Sequence, residues 1–173
     1  MEKFRFYDEA ASLFYREREI KAHPITSLDF YAQHFGKFCI GLQDIKKLGK
    51  MAKKGKWQND HGFRREILDK SHVVVVTDVA LNIVYASQNI YTMNGYRPNE
   101  IIGKKPKMFQ GKDTCKDTTK EVSVAIEKQI PFEVVLTNYR KNGTPYNCWI
   151  KGFPVLNESG KLANFIAFEK EVA

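Results

Sequence analysis

The chain has 173 residues with 43% hydrophobic and 13% aromatic content, enough for one domain with a proper core and too apolar for a disordered segment. Three scattered cysteines, Cys39, Cys115 and Cys148, form neither a disulfide framework nor a CxxC pair, which points to a reducing, cytoplasmic setting. No apolar run is long enough to span a membrane, the charged start MEKFRFYDEA is not a signal peptide, and the net charge of +8 raises an acidic partner as something to test.

Residues 1–70 predict a helical extension. Phe4, Tyr7, Ala11, Leu13 and Phe14 recur near helical spacing until His23-Pro24 breaks the pattern. Thr26 or Ser27 caps a second helix through Phe30, Tyr31 and Phe35, which Gly36 interrupts. A third helix covers Phe38 to Ala52, with Cys39, Leu42, Ile45, Leu48 and Met51 as its inward stripe, and a short segment follows from Phe63 to Leu68. Lys46, Lys47, Lys50, Lys53, Lys54 and Lys56 crowd the third helix and read as a solvated face. The alternative is a DNA-binding regulator, a helix-turn-helix over Thr26–Lys54 with Gln43, Asp44 and Lys47 toward base edges, although nucleic acid is not the expected partner.

From residue 71 the texture changes, and a second domain is predicted over 71–173. Val73 to Asp78 is a β-branched run ending at a turn former, and Asn82 to Ser87 is a second strand close enough to form a hairpin. Short helices are predicted at Gln88–Met93 and, with proline at its start, at Pro98–Ile102. A longer helix runs from Thr114 to Gln129, with Val122, Ala125 and Ile126 facing inward. Strands at Pro131–Arg140, Thr144–Leu156 and Lys161–Val172 close the chain, with turns at Asn142-Gly143 and Glu158-Ser159-Gly160. The order predicts an α+β fold, a five-stranded antiparallel sheet with short helices on one face and a pocket between them.

Val76-Thr77-Asp78, Tyr85-Ala86-Ser87, Gly95-Tyr96, Glu100 to Gly103, Gln110-Gly111 and Asn138 to Pro145 fall in the order and spacing of a LOV-like PAS domain, which residues 72–172 resemble. The resemblance implies the PAS fold and a sensory function. It also implies individual pocket positions. Gln110 and Asn138 match amides that touch a flavin ring, with the donors and acceptors such an edge needs. Pro106 stands where the photoactive cysteine belongs and supplies no nucleophile, and Lys105 replaces the asparagine before it. Lys107 stands for a phosphate-binding arginine, keeping the charge and losing the bidentate fork. Ser123 replaces a second phosphate arginine, Cys148 a second ring-binding asparagine, and Glu169 a signalling glutamine, whose donor role a carboxylate can fill only when protonated. Cys148, on the strand side, does not restore the adduct.

No metal-ligand spacing joins His23, His34, His61 or His72, and no nucleophile elbow, P-loop or paired-carboxylate motif occurs, so binding without turnover is expected. If the resemblance holds, Trp149 and Tyr139 lie on strands near the pocket. The expected protein is a PAS-type sensory module that binds a small ligand or a signalling partner and relays the event through flanking helices or a homodimer. The runner-up is a photo- or redox sensor holding FMN without a cysteinyl bond.

Overall fold

The computed structural model of the chain describes residues 26–68 and 70–173. The helix expected over Phe4 to Phe14 and its break at His23-Pro24 lie outside these residues. Phe38–Ala173 forms one compact unit, to which the sheet, both cores and the cavity belong; the described residues before Phe38 are not part of it.

The first described element, α1, runs unbroken from Thr26 to Gly55 over 30 residues. The expected interruption at Gly36 is therefore corrected. Glycine costs about 1 kcal/mol against alanine in a helix but, unlike proline, keeps its N–H in the hydrogen-bond ladder. The helix-turn-helix reading falls with it, since Thr26–Lys54 contains no turn and Asp44 is buried. The inward stripe is corrected too. Gly41, Asp44 and Leu48 are buried, Ile45 and Met51 are half-buried, and Leu42 is exposed. A three-residue step turns a helix about 300°, so a strict three-residue stripe drifts about 60° per step, whereas i, i+3, i+4, i+7 holds one face. All six clustered lysines are exposed.

After α1 come α2 (Phe63–Leu68), β1 (Val73–Thr77), β2 (Ile83–Ala86), α3 (Ile90–Asn94), α4 (Pro98–Ile101), a 3-10 turn η1 (Pro106–Phe109), α5 (Lys116–Glu127), β3 (Phe132–Tyr139), β4 (Pro145–Leu156) and β5 (Leu162–Val172). The strands form one five-stranded sheet in the order β2-β1-β5-β4-β3, antiparallel throughout, with β5 in the middle. Gly143 and Gly160 take the left-handed φ values of 85° and 72° that their turns require.

Each sheet face carries its own core. Val73 and Val75 look toward α3, α4 and η1, packing with Ile90, Ile101 and Phe109. Val74 and Val76 look the other way, against Leu48 of α1 and Phe63 and Ile67 of α2. That is why β1 reads as an unbroken valine run and not as an alternation: both of its faces are covered. Polar ties fix α1 to the sheet. The Tyr85 hydroxyl donates to Asp44 Oδ1 at 2.7 Å and the Gln88 N–H to Asp44 Oδ2 at 3.0 Å. At the far end Trp57 Nε1 donates to Asn164 Oδ1 at 3.0 Å, and the Gln58 N–H to the Leu156 carbonyl at 2.9 Å. From Phe38 onward, then, the helical extension forms the layer on the outer sheet face.

Candidate ligand cavity

A cavity of about 300 Å³ lies between the inner sheet face, η1 and α5, at the lower end of the ~300–1,000 Å³ range of small-molecule sites. Local sequence explains its walls. Pro106 fixes the start of η1, which swings Lys107 to the exposed rim and Phe109 into the core. Val122 and Ile126, one turn apart on α5, form the opposing apolar wall. Gly152 on β4 makes room for the Phe132 ring, into which a Cβ would collide.

The floor follows from strand register. Thr77 pairs with Phe165, Val75 with Ala167 and Val73 with Glu169. Ile150 of β4 pairs with Glu169 from the other side. The pattern of period two turns Thr77, Val75, Ala167 and Glu169 to the same face. Polar groups therefore sit at both ends of an apolar floor. Thr77 Oγ1 is buried without a hydrogen-bond partner among the described residues.

Of the residues singled out in the sequence, Lys105, Pro106, Lys107, Gln110, Ser123, Asn138 and Glu169 share the cavity wall. Asn138 and Glu169 are buried, whereas Lys107 is exposed. The Ser123 hydroxyl is committed to the Thr119 carbonyl at 3.0 Å. Cys148 is not on the wall; it is fully buried in the inner core beside it, its thiol 3.9 Å from Glu169 Oε2. Burial, and then the Glu169 charge, raise the Cys148 thiol well above its ordinary range, so it stays protonated and is a poor nucleophile. Burial also pushes the Glu169 carboxyl up to about 7, with the Cys148 thiol pulling slightly the other way.

One expectation changes. Trp149 lies on the outer face, its Nε1 donating to Glu133 Oε1 at 3.0 Å and its ring under Lys170, because it alternates with the inward Cys148 and Ile150 along β4. It cannot meet a cavity ligand. Tyr139, at the end of β3, donates to Asp113 Oδ2 at 2.5 Å. Sequence reasoning missed Thr77, Val75 and Ala167, which only the β1–β5 register places together. It also missed Asn94 and Tyr146, each buried with a polar atom that lacks a partner among the described residues. The Asn138–Gly143 segment is held in place from outside the sheet: the Lys141 N–H donates to the Asn94 carbonyl at 2.9 Å, and Lys141 Nζ pairs with Glu100 at 2.5 Å. Among the described residues, no cluster of histidine, cysteine and carboxylate side chains could hold a metal ion, and no helix is long and apolar enough to cross a membrane.

A five-stranded antiparallel sheet with short helices over a ligand-sized cavity defines a sensor-type α+β domain, and the family comparison agrees: the PAS domain model matches residues 71–172. The chain belongs to the PAS domain family, and its relatives make it one of the LOV-like type. It is 34% identical over 91 residues to phototropin-2 of Oryza sativa subsp. japonica, covering 53% of this chain and 10% of that protein. It is 34% identical over 106 residues to Protein TWIN LOV 1 of Arabidopsis thaliana, covering 59% of this chain and 27% of that protein. The chain thus spans well under a third of either relative. A light-oxygen-voltage domain studied with a flavin analogue superposes with a TM-score of 0.61 at 26% identity, over 66% of this chain and 87% of that one. The dark structure of the Aureochrome1 LOV photoreceptor superposes equally well, at 0.61 and 26%, over 67% and 86%.

Proposed function

We propose that this sensory module works by binding a small, flat ligand in the inner-face cavity and relaying its presence through β5 to the helical layer outside. One observation carries the reading. Along the central strand, Ala167 and Glu169 line the cavity, Phe168 belongs to the outer core with Leu48, Phe63 and Ile67, and Ile166 belongs to that core while also bordering the cavity. A ligand that shifts β5 must therefore disturb the packing under α1 and α2, and its differential affinity for the two packings sets how far the equilibrium moves. No step of turnover is involved. The test is mass spectrometry of the small molecules released when freshly purified protein is denatured. A stoichiometric compound supports the reading, and its absence from every preparation overturns it.

A second reading, non-covalent FMN, is favoured by Gln110 and Asn138 sharing the cavity wall and by relatives named as blue-light receptors. Here Gln110 and Asn138 would hold the ring and Lys107, at the rim, the phosphate; the group would supply blue-light absorption and electron acceptance. Pro106 has no nucleophile and Cys148 is a buried, protonated thiol, so light would produce no cysteinyl adduct. An absorption spectrum before and after blue light decides it. A flavin band that bleaches reversibly to a reduced form supports the reading, and a colourless protein that takes up no added FMN removes it.

The exposed side chains Phe38 and Leu42 on α1 are four residues apart on one helical stripe and fit a second copy of the chain, which is the dimer this account proposes.

A further inference from the structure

We propose that the cavity selects ligands that present a nitrogen-bound hydrogen to Glu169: flat, largely apolar heteroaromatic amines or amidines, neutral or cationic. The inference rests on the cavity being a ligand site, as proposed above.

Glu169 sits on the central strand, 6% exposed, on the cavity wall. Its one hydrogen-bonding neighbour among the described residues is the Cys148 thiol, at the long distance of 3.9 Å. The charged groups around it are engaged elsewhere or held at a distance. Arg140 pairs with Glu171 at 2.6 Å and also donates to the Met93 carbonyl. Lys170, next along β5, points to the outer face over the Trp149 ring. His72, beside β1, is bonded to Glu66 at 2.7 Å on the outer side. Lys105 and Lys107 line the same cavity but lie exposed on the η1 loop. On β4, the titratable neighbours Cys148 and Tyr146 are both pushed toward their protonated, uncharged forms by burial.

A buried carboxyl without a cation is costly when ionised. A ligand N–H satisfies the ionised form as a donor, and a ligand cation also neutralises it. A ligand carbonyl or carboxylate at the same place is repelled once Glu169 ionises. With burial raising Glu169 to about 7, both forms are populated near neutral pH, and a donor shifts the balance toward the carboxylate. The far end of the floor adds shape. Thr77, four residues from Val73 on β1, carries a buried hydroxyl without a partner among the described residues, and four strand residues span about 13 Å. Val75 and Ala167 lie between. The floor thus fits an elongated flat molecule with an N–H end and a second polar end, apolar in the middle.

The test uses the full chain, unfolded and refolded to remove any carried molecule, and three bicyclic probes followed by nuclear magnetic resonance. 2-Aminobenzimidazole offers N–H donors, benzothiazole only acceptors, and benzothiophene-2-carboxylate an anion. Above pH 7, where Glu169 is mostly ionised and offers no donor to an acceptor, the proposal expects 2-aminobenzimidazole to bind at least tenfold more tightly than either of the others, with shifts at Val75, Ile150 and Ala167. In Glu169→Gln, which keeps the size and adds a donor, that preference should fall to within threefold. Equal binding of benzothiazole and 2-aminobenzimidazole in the wild type, with shifts in the cavity, overturns the selectivity and leaves the site standing. Binding of no probe at the cavity residues overturns both. The comparison among probes within the wild type stands even if the variant folds poorly.

Discussion

Replacing Glu169 by glutamine should change stability in a way that depends on pH. In the folded protein the carboxyl is raised to about 7 from an ordinary value of 4.5 by burial. The sign follows from which state holds the proton more tightly. Below pH 4.5 the carboxyl is protonated whether the chain is folded or not, and it contributes no difference. Between pH 4.5 and 7 the unfolded chain releases the proton while the folded one keeps it, so stability falls as pH rises, by about 1.4 kcal/mol per unit. Above pH 7 the loss is complete, at about 3 kcal/mol for the shift from 4.5 to about 7. Glutamine does not titrate. Urea denaturation of both proteins at intervals from pH 4 to 9 should give a stability difference, variant minus wild type, that rises by about 3 kcal/mol and levels off above pH 7. Any constant offset from the amide's own hydrogen bonding cancels in that rise. Parallel curves, with no pH-dependent difference, would refute the burial argument and show that water or an unseen partner solvates Glu169.

Other substitutions probe the remaining links. Tyr85→Phe removes the donor to the buried Asp44 carboxylate and should cost about 1.5–3 kcal/mol in urea melts; no loss would mean that Asp44 finds another partner. Leu48→Ala empties a side chain that is fully buried under the outer sheet face and should cost about 2–5 kcal/mol, against near-zero for Gln43→Ala on the exposed side. Gln110→Leu combined with Asn138→Leu should lower the yield of co-purified compound tenfold or more by mass spectrometry; an unchanged yield places the compound elsewhere. Phe38→Glu with Leu42→Glu should convert a dimer to a monomer in light scattering, and an unaltered mass would remove α1 from the interface.

The sheet was legible because its signals are local. A β-branched run marks β1, and glycines at the two tight hairpin turns bound β4, where left-handed backbone is required. The extension was harder. Gly36 looks like a break, yet its cost, even with Gly41 and Gly49 further along the same 30-residue helix, is outweighed by the rest of the ladder and by packing on the sheet. Asp44 looks solvent-facing, and only its distant partners, Tyr85 and Gln88, explain why it is buried. Trp149 and Cys148 differ by one residue, and so by one sheet face. Glu169 drew attention through family resemblance alone. That it is a buried carboxyl beside a cavity, with no cation partner among the described residues, depends on β1 and β4 flanking β5, a long-range pairing that no local pattern encodes.

The relay across the sheet is the central claim, and amide hydrogen exchange measures it directly. Exchange in α1 from Phe38 to Gly55 would be followed in protein stripped of small molecules and in protein reloaded with the compound that denaturation releases. The account predicts a change in protection along this outer helix on loading, although the cavity lies on the opposite sheet face. Protection that changes only around η1, α5 and the inner sheet, with α1 unaltered at full occupancy, would contradict it.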